Sequence, residues 1–425
     1  MIQTCGALHT VGDIMFDRNS LLVISQAFPP EKGGNASRMH DLTRFMTDEW
    51  DVTVVAPSKC YPHGEYDRTW ERHQKTELDG ITVHRIWAWQ PVNPDPSFVS
   101  RILYYLTFAL HAFVWTLFHR RDHDVILTTS PPLFTGFVAF PFAVLFDTPW
   151  VVDIRDLWID VSVNFGFISK GGLIERASKA YRQRELNTAD LVTVTTEETK
   201  TALRSQYDLR TPVEVIPNGV DVHSFDPGSK ERSPVVIYTG TIGHCQDLES
   251  CVAAMEYVED EAVTLKIVGD GDVRDKLEEM TAERGLEDRI EFTGFVDRER
   301  VPDLLASAAI GVAPIKPDES LRYAVPTKVY EYMSCELPVL AVGDGALKNI
   351  VETSRGGIVA GNDPVDVANK IDLLASDPAL RDELGETGRR HMQRKYDREA
   401  ISAELQRHLS RLVDGTTQRT VSVRR

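Results

Sequence analysis

The feature that most constrains this chain is a repeated alternation of short apolar runs with helical stretches. Runs of three to six residues rich in Val, Ile and Leu stand at 21–25, 51–56, 81–86, 125–129, 150–154 and 191–195. Between most of them lie stretches with apolar residues at helical spacing, such as Met39, Leu42, Phe45 and Met46. Strands buried on both faces read as continuous apolar runs, and parallel neighbours need a crossover, usually a helix. The alternation therefore predicts α/β domains with doubly wound parallel sheets. Near Pro217-Asn218-Gly219 it pauses, and a polar stretch follows at 229–234. It restarts at 235–238, 264–268, 290–292, 310–313 and 339–341, so two units are expected. The 425 residues are also too many for one ordinary core. The division read from the pattern is an extension at 1–20, a first unit at 21–215 and a second at 216–395. The charged stretch 381–412 reads as helix, and its 396–413 part is expected to fold back onto the first unit. A flexible tail is expected at 414–425.

With 64 acidic against 47 basic residues the net charge is −17, which would repel a nucleic-acid backbone. The bases are mostly arginine, a balance that suits either a salt-rich cytoplasm or a GC-rich genome. Cys5, Cys60, Cys245, Cys251 and Cys335 include no C-x-x-C pair, so neither a zinc site nor a disulfide framework is indicated, and a reducing cytoplasm is expected. Residues 1–20 have neither a basic start nor a long apolar run and do not read as a signal peptide. Two stretches, 102–118 and 133–146, are unusually apolar, and Arg101, Arg120 and Arg121 flank the first. A membrane span takes roughly 17–25 residues, and one placed between strands of a sheet would split its domain. A buried helix and a helix lying in the membrane interface both remain open for 102–118.

Two segments carry candidate chemistry. Gly33 and Gly34 lie between the first apolar run and the first helix, with Asn35 placed to cap that helix. Ligands in open α/β sheets bind where strands turn into helices, and glycines there admit a close approach, although a plain tight turn uses the same residues. No G-x-G-x-x-G is present, so a dinucleotide fingerprint is unsupported. The second segment, 324–333, reads as a helix opening at Pro326, with Lys328 and Glu331 three apart on one face. A carboxylate there can accept two hydrogen bonds from a ribose diol, and a lysine can neutralise phosphate, although an exposed ion pair has the same spacing.

These segments, with Asp153-Ile154-Arg155-Asp156-Leu157-Trp158, Ile216-Pro217-Asn218-Gly219, Tyr238-Thr239-Gly240 and Val268-Gly269-Asp270-Gly271, resemble the retaining glycosyltransferases of family four. The order of the motifs matches that family from Leu21 to about Tyr396, and the likeness is to the capsule, O-antigen and lipid-linked glycan subgroup. The resemblance implies the GT-B fold, two Rossmann-like domains with a cleft between them. It implies that Glu331 holds ribose hydroxyls and Lys328 lies by the diphosphate, with Arg155 and Asp156 on the acceptor side. Gly33, Gly34, Asn35, Gly240, Gly269, Asp270, Gly271, Arg322 and Thr327 would line the donor. Asn218-Gly219 would mark the hinge between domains. The sequence departs from the family at Tyr323, where many members carry a second glutamate, and at His244, near which many place a basic residue.

The implied activity is retaining transfer of a sugar from a nucleoside diphosphate sugar to a glycan or polyprenyl-linked acceptor, in surface-glycan or glycoprotein-glycan assembly. No cofactor or metal is expected, because no acid and histidine cluster suits one. Peripheral attachment to the inner face of the cell membrane is expected from the apolar stretch with its arginines. A nucleotide-sugar epimerase of the same fold and a non-catalytic nucleotide-sugar sensor are the alternatives.

Overall fold

The computed structural model describes residues 18–31, 33–61, 66–91, 93, 96–228 and 232–423; Lys32, Cys5 and the proposed extension up to residue 17 lie outside the described residues. Among the described residues, fourteen strands form two sheets. The first comprises β1 (Asn19–Ile24), β2 (Trp50–Pro57), β3 (His73–Leu78), β4 (Ile81–Ile86), β5 (Val125–Ser130), β6 (Trp150–Ile154), β7 (Leu191–Val194) and β8 (Val213–Val215). Their order is β3-β4-β2-β1-β5-β6-β7-β8, all parallel except the β3–β4 pair. The second comprises β9 (Val235–Thr239), β10 (Thr264–Val268), β11 (Ile290–Gly294), β12 (Ile310–Pro314), β13 (Val339–Val342) and β14 (Gly357–Ala360), in the parallel order β11-β10-β9-β12-β13-β14. In each sheet the chain order reverses beside the first strand, β1 or β9. Open α/β sheets form their ligand crevice at the carboxyl ends of strands at such points.

Helices cover both faces of each sheet. Leu22 and Ile24 of β1 pack with Tyr104, Phe108, Phe142 and Leu186 on one side. Leu21 and Val23 pack with Met39, Leu42, Leu405 and Leu409 on the other. Each of these four β1 side chains is completely buried, a gain of about 1.5–3 kcal/mol apiece. The last helix, Arg398–Val423, thus belongs to the wall of the first sheet.

The structure departs from the sequence reading in several places. β3 is an exposed edge strand of polar residues, and β8 and β14 are edge strands of three and four residues, too short to stand out as runs. The stretch 381–412 is two helices, Pro378–Lys395 and Arg398–Val423, and the second continues through the segment read as a tail. Pro326 precedes its helix, Thr327–Ser334, rather than opening it. Asn35 is no cap: the helix Gly34–Arg44 follows Gly33 without a side-chain cap, because Asn35 already lies inside it. The run 102–118 lies within the helix Phe98–His119, which is not wholly buried. Its inner side packs Tyr104, Phe108 and Ala112, while Val99, Leu103, Leu106, Leu110, Val114 and Phe118 are exposed.

Candidate active site

Both switch points carry the glycines singled out in the sequence. After β1 the chain turns at Phe28 and reaches Gly33, whose φ of 127° lies in the region open to glycine. Glu31 holds this loop from beneath. Its buried carboxylate accepts the N–H groups of Cys60 (3.0 Å), Tyr61 (3.2 Å) and Phe28 (3.3 Å) and faces Arg85 at 3.5 Å. Arg85 donates in turn to the carbonyls of Phe28, Pro29 and Pro57 at 2.7, 2.6 and 3.1 Å. Burial raises the Glu31 carboxyl pKa, with Arg85 and the three N–H groups opposing. Sequence reading passed over Glu31 and Arg85 because they lie 54 residues apart.

The second sheet supplies the facing wall. A side chain begun at Gly34 would meet Thr327 Cγ2 at 3.4 Å and Oγ1 at 3.5 Å, so the glycine loop abuts the start of the Thr327–Ser334 helix. Behind Thr327, Lys328 is buried with Nζ 3.5 Å from the centre of the Tyr238 ring and directed at Gly240, where a Cβ would stand 3.4 Å away. Burial lowers its amine pKa to about 7, partly opposed by Glu331 and Cys251. Glu331, 6% exposed, pairs with Arg298 at 3.1 Å rather than with Lys328. An exposed lysine–glutamate pair is therefore not what this spacing encodes. Tyr332 accepts from the Thr239 N–H at 2.8 Å and so fixes the end of β9.

Gly269 and Gly271 are required by backbone packing, whereas Gly240 is favoured by its φ of 125°. A Cβ at Gly269 would stand 2.0 Å from the Gly240 carbonyl oxygen, and one at Gly271 would stand 2.4 Å from that of Ile242. Asp270 accepts from the Gly271 N–H at 2.8 Å and from Arg274 at 3.3 Å. Arg322 stands at the rim, paired with Glu319 at 3.2 Å and Asp344 at 3.4 Å.

On the first domain, Arg155 turns away from Asp156 to hold the loop after β5, donating to Thr129 Oγ1 at 3.1 Å and the Pro131 carbonyl at 2.9 Å. Asp156 stays accessible in a recess that it lines with Trp158, Arg182, Gln206 and Tyr207. Partial loss of water there raises its carboxyl pKa, with Arg155 opposing and Asp153 adding. Single hydrogen bonds close the cleft mouth: Asn164 to the Asp318 carboxylate (3.1 Å), Thr196 to the Tyr323 carbonyl (2.8 Å) and Asn349 to the Glu198 carboxylate (2.7 Å). Tyr323, where the resemblance called for a glutamate, packs against the first domain's core. Asn35 Oδ1, beside the glycine loop, is buried without a hydrogen-bond partner among the described residues. Among the described residues, no three His, Cys, Asp or Glu side chains gather as a metal-holding group.

Comparison with known proteins converges on this arrangement. Residues 33–219 match the model of the glycosyl transferase 4-like domain, and residues 220–391 match that of glycosyl transferases group 1. The chain is 24% identical over 388 residues to the GDP-mannose-dependent alpha-(1-6)-phosphatidylinositol monomannoside mannosyltransferase of Mycolicibacterium smegmatis, covering 87% of this chain and 92% of that one. Other curated glycosyltransferases match over 44–74% of their own lengths. Among solved structures, sucrose-phosphate synthase from Thermosynechococcus elongatus superposes with a TM-score of 0.75 at 20% identity, over 94% of this chain and 100% of that one. The Anabaena protein HepE in complex with UDP and glucose superposes with a TM-score of 0.69 at 15% identity, over 92% and 100%. With both halves matched and two Rossmann-like sheets facing one cleft, this chain is a GT-B-fold member of the group 1 glycosyltransferases, family four.

Proposed function

We propose that the protein transfers a sugar, with retention of configuration, from a nucleoside diphosphate sugar to a lipid-linked acceptor. The observation that carries this is the apposition of the two switch-point loops, Gly34 against Thr327, with Lys328 and Glu331 directly behind. In this reading Glu331 takes the ribose hydroxyls, giving up Arg298, and Lys328 faces the diphosphate. Thr327 and Gly240 line the same wall, and Arg322 stands at its rim. Gly33, Gly34 and the unpartnered Asn35 amide oxygen approach the donor from the first domain, residues 21–215 with the helix Arg398–Val423. Gly269, Asp270 and Gly271 shape the floor. Asp156, oriented by the loop that Arg155 holds, lies on the acceptor side.

The chemistry needs no metal or cofactor. The bond from the anomeric carbon to the β-phosphate oxygen breaks, and the acceptor oxygen attacks on the same face. Its proton passes to the departing phosphate oxygen, and Lys328 with the N–H groups of the helix start stabilises the growing negative charge. Contact across the cleft mouth excludes water.

The outward row on the Phe98–His119 helix supports attachment to the inner face of the membrane. That helix is long and apolar enough to cross a bilayer, but its inner side packs on the sheet, which favours lying on the surface. Exposed Val144, Leu145 and Phe146 on the neighbouring helix Phe134–Phe146 extend the row, and Arg120 stacks on Phe146. Segments 98–121, 134–146 and 165–188 together hold eight Lys and Arg against two Glu, the buried Arg182–Glu185 pair included, in a chain of net charge −17. The mycobacterial relative is named for a phosphatidylinositol acceptor, which agrees with a lipid-linked substrate here.

The test is nucleoside diphosphate release from a panel of nucleotide sugars, with and without lipid extract, for wild type and Gly34→Leu. Release from one donor that rises with lipid, and falls at least tenfold in the variant, is the expected outcome. Binding of nucleotide sugar without release from any donor would refute transfer. Failure to float with anionic vesicles at low salt would refute the membrane assignment.

A further inference from the structure

Six charged side chains meet where the chain crosses between the two sheets, at 216–221 and again at 396–398. Arg38 and Arg398 are both completely buried, and Asp153, Asp41 and Asp221 nearly so. Arg38 donates to the carbonyls of Ile216 (2.8 Å) and Pro217 (2.5 Å) and to both oxygens of Asp153 (2.9 and 3.3 Å). Arg398 donates to the carbonyls of Asn218 (3.0 Å) and Gly219 (2.9 Å) and to Asp41. Arg44 donates to Asp221 at 2.5 Å and to Asp41 at 3.1 Å. Two arginines thus take four consecutive carbonyls of the first crossing. The crossings also bond to each other, Val220 N–H to the Tyr396 carbonyl and Arg398 N–H to the Val220 carbonyl, both at 2.9 Å.

Buried ion pairs return little net stability, since desolvation offsets their attraction. Geometry supplies the reason for three of them here. Arg38, Asp41 and Arg44 recur every third residue along the helix Gly34–Arg44 and so share one side of it. The same helix begins at Gly34, whose open side meets Thr327 of the second domain. One rigid element therefore joins the glycine loop to the interdomain joint.

We propose that Arg38, Asp41, Arg44 and Arg398 are positioning residues that weld the crossing 216–221 to the first domain and thereby set the glycine loop against the Thr327–Ser334 helix. The second domain then rotates about the chain beyond Asp221 and before Tyr396, not about Asn218-Gly219. The kinetic consequence rests on the transfer reading; the mechanical one does not.

Arg44 is partly exposed, its side chain 28% accessible, so Arg44→Gln and Arg44→Lys variants of the full chain are suitable, with Asp221→Asn as an independent cut of the same pair. Small-angle X-ray scattering of unliganded protein should give a larger radius of gyration for Arg44→Gln and Asp221→Asn, and wild-type values for Arg44→Lys. Turnover should fall roughly ten- to hundredfold in the first two, with unchanged affinity for UDP and GDP, because Lys328 and Glu331 are untouched. Wild-type scattering in Arg44→Gln and Asp221→Asn would overturn the weld. Widened scattering with undiminished turnover, or turnover and nucleotide affinity falling together, would overturn the positioning role. Widened scattering in a chain whose wild type transfers no sugar would leave the weld standing and remove the transfer reading alone.

Discussion

Lys328 offers a test in which protonation reports on the ligand. Its ammonium is walled in by Tyr238, Gly240 and the body of its own helix, and burial lowers its pKa to about 7. In the free protein at pH 8 the amine is therefore about one-tenth protonated, and at pH 6 about nine-tenths. A diphosphate beside it favours the charged form and returns the pKa towards 10.5. Binding of UDP or GDP should then take up about 0.9 proton at pH 8 and about 0.1 at pH 6. Isothermal titration in two buffers of different ionisation enthalpy reads that number directly, and Lys328→Met should abolish it. The same displacement predicts a gain in stability. Between pH 10.5 and 7 the unfolded chain holds the proton that the folded chain has released, so stability falls as pH drops through that window and levels off below it. At 1.36 kcal/mol per pH unit the ceiling is about 5 kcal/mol, and relaxation leaves about 1–3. Methionine removes that cost, so the variant should melt several degrees higher at pH 7 while losing turnover. Measurable binding without proton uptake at pH 8, or equal uptake in the methionine variant, would refute the assignment of Lys328 to the diphosphate.

Glu331→Gln should weaken UDP or GDP binding by roughly ten- to hundredfold but leave binding of the 2′,3′-dideoxy nucleotide unchanged; equal losses for both would remove the ribose role. His84 and His123, each held near pKa 4 chiefly by burial, stay neutral in the fold while the unfolded chain protonates near 6.5. Stability should accordingly fall as pH drops from about 6.5 to 4, by up to roughly 1.4 kcal/mol per pH unit for His123 and less for the more exposed His84, and His84→Gln with His123→Gln should flatten the thermal midpoint against pH. Tyr323→Phe should preserve turnover, because the contact to Thr196 uses the backbone carbonyl, whereas Tyr323→Glu should place a carboxylate against the apolar core and lower the melting temperature; a gain of activity in Tyr323→Glu would count against this.

The sequence displayed the sheets clearly because their central strands are buried on both faces and hence continuously apolar. It concealed β3, whose His73-Gln74-Lys75-Thr76-Glu77 is held by pairing along β4 rather than by burial. Lys328 and Glu331 were legible as residues on one side of a helix, but not as partners of Tyr238 and Arg298, because those contacts join elements far apart in the chain. Asn35 looked like a cap because it follows two glycines; the helix starts one residue earlier, and its amide is left facing inward. The Arg38–Asp153 pair, 115 residues apart, had no local signature. Burial of Arg38 was likewise invisible, since arginine ordinarily reads as surface.

The two kinds of interdomain contact follow different rules, and the difference bears on how the enzyme works. At the joint, the Arg38–Asp153 and Arg398–Asp41 pairs are buried, and losing one partner of either strands a charge in low dielectric at a cost of about 3–5 kcal/mol. At the mouth, Asn164–Asp318 and Asn349–Glu198 are single exposed hydrogen bonds, and Thr196–Tyr323 is only half-buried. The neutral Thr196–Tyr323 bond is worth about 0.5–1.5 kcal/mol, and the two amide–carboxylate bonds at most about 1.5–3 before exposure to water weakens them. The free cleft also satisfies its own charges: Arg298 lies on Glu331, Arg322 on Glu319 and Asp344, and Lys328 loses its proton. A nucleotide entering such a site finds cations that internal partners or deprotonation have already quieted, and it must displace or recharge them. Closure around the donor can then be reversible at the mouth without loosening the joint, because the contacts that break on opening are single hydrogen bonds open to water and the contacts that hold the loop in register are the buried ion pairs.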